Sequence, residues 1–312
     1  MSSSVALAVA ELRVIAGPTA AGKSAIAMAL AERYGAAIVS ADSRQIYQRF
    51  DVGTAKPSLA ERARVVHHGI DVVPPTERYS AARFATDTET WIASDAAANR
   101  ASLVAGGTGF YLRALFEPLF IEPPMDPGAR TSLQAYLDAL PLDELRRWCL
   151  TLDAPRATLG RTQLQRAIEV ALLTGERLSD LHARPPRPPV FRARYLVVDP
   201  GAALHERIAA RVDAMLSGGW PEEVHDLLHD VPDDAPAWNA AGYAVVRRLV
   251  RGEISPMHAR EQIIIETRQY AKRQRTWLRH QLGGTPVTLL DPGAPDAAAI
   301  IDHWWTETGA SA

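Results

Sequence analysis

Short apolar runs that stop at glycine or proline set the rhythm of this chain. Residues 12–16 (LRVIA) end at Gly17-Pro18, which predicts a buried strand closed by a turn. Residues 24–34 carry apolar side chains at helical spacing and stop at Gly35, so a helix follows. Residues 36–40 predict a second strand. Residues 100–105 predict a third, followed by Gly106-Gly107-Thr108-Gly109 and an apolar helix start at Phe110. Residues 195–198 predict a fourth. Strands alternating with helices point to an α/β fold, a P-loop-type parallel sheet flanked by helices.

The texture changes at residue 118. Residues 118–189 hold ten of the 22 prolines and short helical patterns at 130–140, 142–150 and 163–173, and they end in the extended stretch 184–190. This predicts a helical insertion hung from the α/β core. Helical patterns return at 203–217, 221–229, 242–251 and 256 to about 282. The expected division is 1–117 for the first part of the core and 118–194 for the insertion. Residues 195–290 then complete the core with a basic helix, and 291–312 form a tail without functional signal.

Composition narrows the class. With 312 residues, 47% hydrophobic and 22% charged, one or two ordinary folded units are expected, and a disordered chain is excluded. No apolar run reaches the roughly 18 residues of a membrane span. The single Cys149 excludes a disulfide framework and a cysteine-clustered zinc site. The first ten residues lack the basic segment and long apolar core of a signal peptide, so a cytoplasmic protein is expected. Only three lysines, Lys23, Lys56 and Lys272, stand among 31 arginines, which hints that each fills a place needing a compact ammonium. From 247 to 279 there are nine Lys+Arg against three Glu. That local basic stretch suggests either a polyanion partner or a solvated helix face.

Gly17-Pro18-Thr19-Ala20-Ala21-Gly22-Lys23-Ser24 matches the phosphate-binding loop G-x-x-x-x-G-K-[ST], with a strand before it and a helix after. Its backbone N–H groups and helix N-terminus suit an anion, Lys23 reaches terminal phosphates, and the Ser24 hydroxyl suits Mg²⁺. The motif specifies a polyphosphate or diphosphate without specifying ATP. No strand ends in an aspartate of the ATPase metal type, and no arginine-finger signature is present. Asp42 follows the second strand, at the end where parallel sheets bind ligands. It is either a proton acceptor or metal-shell ligand, or a helix cap. Thr108 brings a hydroxyl to the same rim, or simply closes a strand–helix turn. Lys56 reads as a loop charge, and the adjacent His67 and His68 diverge too much for a metal site. Arg207 and Arg211, four apart on one helix face, suit either an anion clamp or a solvated surface. On the helix from 256, positions 264, 267, 271, 274 and 278 form one stripe. Arg268, Lys272, Arg275 and Arg279 form a cationic ridge beside it, suited to a phosphate backbone.

Together these blocks closely resemble the tRNA isopentenyltransferase family. They are GPTAAGKS at 17–24, SADSRQIY at 40–47, DVGTAKP at 51–57, HHGID at 67–71, YSAARF at 79–84, GGTGFYLRAL at 106–115, RAIEV at 166–170 and TRQYAKRQRTWLR at 267–279. The resemblance runs in the family's order over most of the chain to about residue 280. It implies transfer of a dimethylallyl group from dimethylallyl diphosphate to N6 of adenosine 37 in the tRNA anticodon stem-loop, by a monomer needing Mg²⁺. It implies that the loop from Thr19 to Ser24 holds the diphosphate, with Mg²⁺ near Ser24, and that Asp42 is the general base. Arg207, with Arg211 added, would reach the diphosphate. Asp42, Ser43, Arg44, Gln45 and Thr108 would face the tRNA base. Arg130 and the run Arg161, Thr162, Gln163, Leu164 and Gln165 would contact tRNA from the insertion. Many relatives carry an arginine where this chain has Gln163, and Arg161 or Arg166 stands in for it here. Two rival readings are a small-molecule P-loop kinase and a non-catalytic P-loop RNA-binding module. A third, narrower one replaces tRNA with AMP or ATP as the prenyl acceptor. The basic helix and the long insertion oppose the first and third; Asp42 beside the loop opposes the second.

Overall fold

The computed structural model describes residues 10–117, 123–184, 187–282 and 284–307. The expected insertion margin at Pro118 and the Pro185-Pro186 connector lie outside them. Six parallel strands make the sheet, in the order β3-β2-β4-β1-β5-β6. They are β1 (Ala10–Ala16), β2 (Ala37–Ala41), β3 (His67–His68), β4 (Ser102–Gly106), β5 (Phe191–Val198) and β6 (Val287–Leu290). Successive residues of one strand serve opposite faces. Leu12, Val14 and Ala16 of β1 enter one core cluster while Ile15 enters another, and in β5 Tyr195 and Val197 alternate with Leu196 and Val198 in the same way. A sheet covered on both faces needs such nearly continuous apolar strands.

Around the sheet lie α1 (Lys23–Tyr34), α2 (Leu59–Arg64), α3 (Ala81–Ala97), α4 (Gly109–Phe116), α9 (Leu204–Ser217), α10 (Trp220–Leu227), α11 (Tyr243–Val250), α12 (Pro256–Gln281) and α13 (Ala297–Thr306). Helix α1 is closed by Gly35 in the left-handed conformation (φ 64°), where a side chain would be strained. The α12 stripe is packed inward as its spacing requires, with Ile264, Ala271, Gln274 and Leu278 buried. Among the described residues no helix is long and apolar enough to cross a membrane.

Two expectations need correction. Strand β5 starts at Phe191, pairing with Ala10, so residues 191–194 belong to the sheet rather than to the insertion. The supposed tail carries α13, whose Trp304 is fully buried and whose Trp305 stacks on Tyr34 with ring centroids 4.9 Å apart. Helix α3 and the short edge strands β3 and β6 gave no periodic signal of their own.

The chain forms two compact units, Met1–Phe116 with Val190–Ala312, and Glu117–Pro189. The second contains α5 (Pro127–Ala139), α6 (Leu142–Leu152), α7 (Arg161–Thr174) and α8 (Leu178–Ala183) around its own core. Leu164, expected to touch tRNA, is instead fully buried in that core. Its position is dictated by helical spacing with Ala167 and Ile168, which share the same face. Leu164→Ala is therefore expected to cost about 2–5 kcal/mol of the second unit's stability in urea melts. A tRNA affinity loss with stability unchanged would contradict this placement.

Candidate active site at the strand ends

The register of the sheet assembles the site. Ala16 pairs with Gly106 and Gly106 with Ala41, so β1, β2 and β4 end level with one another. The residues that follow these three ends, from Gly17, Asp42 and Gly107 onward, meet at one rim. Gly106 permits this closeness, because a Cβ there would lie 2.2 Å from the Ala41 carbonyl oxygen.

The β1 turn wraps into the phosphate-binding loop. Gly22 caps α1 with φ 101°, and Ala20 takes the left-handed region at φ 63°, a strained choice that curls the loop. The first amides of α1 have no intrahelical acceptor and point into the loop. Lys23 Nζ donates to the Pro18 carbonyl at 2.7 Å. Burial first, and then the neighbouring Arg211, push the Lys23 ammonium down to about 8, against the pull of Asp42. Burial likewise lowers Arg211, and Asp42 opposes it. Lys23 and Arg211 thus line one pocket with Asp42, and both feel its carboxylate. Arg207 does something else. Its Nη1 donates to the Ala21 carbonyl at 3.1 Å and so braces the loop backbone, while Arg211 lines the pocket.

Asp42 is not a helix cap. Its Oδ1 accepts from the Arg44 amide at 2.8 Å, a local turn that aims the carboxylate into the crevice. Thr108 Oγ1 accepts from the Ser43 amide at 3.1 Å, tying the β4 turn to the β2 turn. Tyr270 of α12 is hydrogen-bonded to Thr108, and burial, then Asp42, push its phenol up to about 12. Gln45 is committed elsewhere: its Oε1 accepts from Ser40, and its Nε2 donates to the carbonyls of Thr54 and Ala55.

Two cavities meet here. One, of about 170 Å³, runs from Lys23 and Ser24 past Met28, Ile38 and Ile70. The other, of about 410 Å³, is bounded by Arg44, Trp220, Asn239, Glu266 and Arg273. Thr19, Asp42, Arg211 and Tyr270 line both.

Several groups that matter were missed in the sequence. Lys56, read as a loop charge, is almost fully buried. Its Nζ donates to Asp51 at 2.6 Å, to Asp71 at 2.5 Å and to the Tyr47 carbonyl, holding the 51–57 loop against the 67–71 loop. The scarcity of lysine was its one sequence signal. Glu223 gave none: it accepts from the Asp51 and Val52 amides at 2.7 and 2.6 Å and from Tyr243 Oη at 2.6 Å. Gln274 accepts from the Thr19 amide at 2.8 Å and donates to the Gly107 carbonyl at 2.9 Å. Its amide in an otherwise apolar stripe was a sign, since a buried amide demands partners. His68 bonds Asp95 at 3.1 Å and His67 the Val65 carbonyl, so the two rings go to different partners.

The expected cationic surface is divided by the fold. Arg268, Lys272 and Arg279 are exposed on α12. Arg275 is not part of that ridge: its Nε donates to Asp199 at 2.9 Å and its Nη2 to the Gly201 carbonyl at 2.7 Å. Within the second unit, Arg130 and Arg166 both bind the buried Glu169. Arg161 donates to the Asp138 and Leu140 carbonyls at the end of α5, at 2.8 and 2.7 Å, and Gln165 bonds Asp138. Those side chains hold the unit's own helices together. Thr162 and Gln163 are exposed at the start of α7, with Gln163 Oε1 accepting from the Gly160 amide.

Comparison with known proteins identifies relatives over most of the chain. The IPP transferase family model matches residues 45–281, and the isopentenyl transferase model matches residues 10–66. The chain is 39% identical to the tRNA dimethylallyltransferase of Deinococcus radiodurans, with 91% of this chain and 93% of the relative covered. It is 43% identical to that of Bordetella avium, covering 92% and 95%. The crystal structure of the tRNA isopentenylpyrophosphate transferase of Bacillus halodurans is similar with a TM-score of 0.65, 28% identity and 94% of each chain covered. A eukaryotic dimethylallyltransferase solved acting on tRNA is similar with a TM-score of 0.75 and 25% identity, over 90% of this chain and 73% of that one.

The depressed Lys23 ammonium makes anion binding pH-dependent. A bound diphosphate favours the charged lysine. Above pH about 8 the free site holds a largely neutral Lys23, so binding must take up a proton and weakens as pH rises. Calorimetry with a diphosphate monoester, whose own last ionisation lies below this range, should show full affinity below about pH 8 and a decline above it. Lys23→Met should bind weakly and without that step. A flat wild-type profile would remove Lys23 from the anion site.

Proposed function

The chain belongs to the IPP transferase family, and from that membership we infer how its strand-end cavities prenylate tRNA. The activity is transfer of a dimethylallyl group to tRNA. In our reading dimethylallyl diphosphate occupies the smaller cavity, with its diphosphate against the loop from Gly17 to Ser24. Adenosine 37 of the anticodon stem-loop enters the larger one. The observation that carries this is the junction: Asp42 lies where the phosphate-loop cavity meets the second, Arg-bordered cavity.

The chemistry follows from the groups at that junction. The exocyclic amine of adenine is a poor nucleophile, so the leaving diphosphate must be well stabilised. As the allylic C1–O bond breaks, its electron pair leaves on the diphosphate oxygen, and positive charge spreads over the allyl group. Loop amides, Lys23 and Arg211 face the growing negative charge in a poorly solvated pocket. The N6 lone pair bonds to C1, and the N6 proton passes to the Asp42 carboxylate. A base stacked in the anticodon loop cannot reach that point, so adenine is flipped out of the stack. Tyr270, hydrogen-bonded to Thr108, lines both cavities beside Asp42 and limits water access to the allyl cation.

Mg²⁺ fits this site as a companion of the substrate. The Ser24 hydroxyl is a hard oxygen donor lining the pocket, and among the described residues no cluster of three His, Cys, Asp or Glu could hold a metal alone. Mg²⁺ takes most of its ligands from phosphates and water in such sites, and it would supply charge neutralisation of the leaving group. Exposed Arg268, Lys272 and Arg279 are the phosphate contacts of α12, and Thr162 and Gln163 offer the second unit's exposed contact. The protein works as a monomer in the cytoplasm, where its tRNA is.

Mass spectrometry of tRNA from cells with and without the protein tests the reaction directly: the dimethylallyl group at adenosine 37 should vanish with the gene. Asp42→Asn keeps the shape and loses the proton acceptor, so turnover should fall about 10²–10⁴-fold with tRNA binding intact. Turnover within a few-fold of wild type would deny Asp42 that role. Arg268→Gln with Lys272→Gln should lower the magnitude of the salt slope of tRNA binding by about one to two units. Arg275→Gln should leave that slope unchanged and lower the melting temperature, because Asp199 loses its ion-pair partner.

A further inference from the structure

Gln274 bridges two loops that carry the reaction. The Thr19 N–H can only donate and the Gly107 carbonyl can only accept, so the spanning side chain must accept at one end and donate at the other. A primary amide does this; an ionised carboxylate, a lysine or an arginine cannot. The fit is tight on both sides. A Cβ at Gly107 would lie 2.3 Å from Gln274 Nε2 and 2.8 Å from the Gly17 carbonyl oxygen. Gln274 is only 8% exposed and sits on the α12 stripe between Ala271 and Leu278, both buried.

Two consequences follow. The Thr19 amide is taken out of the set that can face an anion, so the diphosphate contacts begin further along the loop. The Gly107 carbonyl is fixed one residue before Thr108, which holds the Ser43 amide beside Asp42. One side chain thus ties the leaving-group cradle to the wall that bears the base.

We propose that Gln274 is a positioning residue of the transfer reaction, setting the separation between the diphosphate cradle and the Asp42–Thr108 wall. The proposal rests on the functional reading above. Transfer needs C1, the leaving oxygen and N6 in line, and small misplacements of such groups cost large factors in rate.

Gln274→Glu separates this role from mere packing. Ionised, the new carboxylate cannot donate to Gly107 and stands near the diphosphate; protonated, it reproduces both hydrogen bonds of glutamine. At pH 8 the variant should bind a diphosphate monoester about tenfold to a hundredfold more weakly than wild type, with kcat for transfer reduced as well. The gap to wild type in both should narrow as pH falls towards 5.5, while tRNA affinity stays within about twofold throughout. Gln274→Leu, with no titratable group, should be impaired at every pH. Equal binding and kcat in Gln274→Glu and wild type, a deficit independent of pH, or a parallel loss of tRNA affinity would each overturn the proposal. Wild-type protein that fails to prenylate tRNA would instead sink the functional reading, and the binding comparison would still test the bridge.

Discussion

Lys23 and Arg211 face one small pocket, and Asp42 is the carboxylate that both feel. Two cations brought close in a poorly solvated space oppose each other, and one acid does not offset both. The fold accepts that cost at the ends of β1, β2 and β4, and the result is a pocket of net positive character suited to the anion proposed above. The same arrangement sets the Asp42 carboxylate beside the positive charge of Lys23 and Arg211. Placing Asp42 and the loop after β1 level is the work of strand register, and register is secured by strands buried on both faces.

Strand ends alone do not make a precise site, because the loops that follow them are free to move. Here the loops are held by polar side chains with several partners. Lys56 fixes 51–57 against 67–71, Glu223 takes up the amides of Asp51 and Val52, and Gln274 joins the phosphate loop to the β4 turn. A buried polar group with all its partners rigidifies, and one with partners missing destabilises. These three residues are therefore sensitive points of the site although none needs to touch substrate.

Cations proposed to meet RNA must be kept away from acids. On α12, Arg268, Lys272 and Arg279 are exposed while Arg275 is spent on Asp199. In the second unit, Glu169 absorbs Arg130 and Arg166, and helix-end carbonyls absorb Arg161. Arginine is used there as a multi-donor cross-brace, a task its planar fork performs better than lysine.

The sequence by itself determined the local chemistry. The spacing of Gly17, Gly22, Lys23 and Ser24 specifies an anion loop wherever a strand and a helix flank it, and Asp42 and Thr108 follow strands by simple adjacency. The α12 periodicity likewise decided which residues turn inward. These are short-range properties, fixed by backbone geometry within a turn or two. Tertiary structure decided which charges are free. Arg275 meets Asp199 across 76 residues, Arg130 meets Glu169 across 39, and Glu223 reaches back 171 residues to the Val52 amide. It also decided that Arg207 braces the loop from behind while Arg211, one turn on, faces the pocket. Helical periodicity gives a side chain a direction but not a partner. Ion pairing depends on distances that exist only after distant elements have packed.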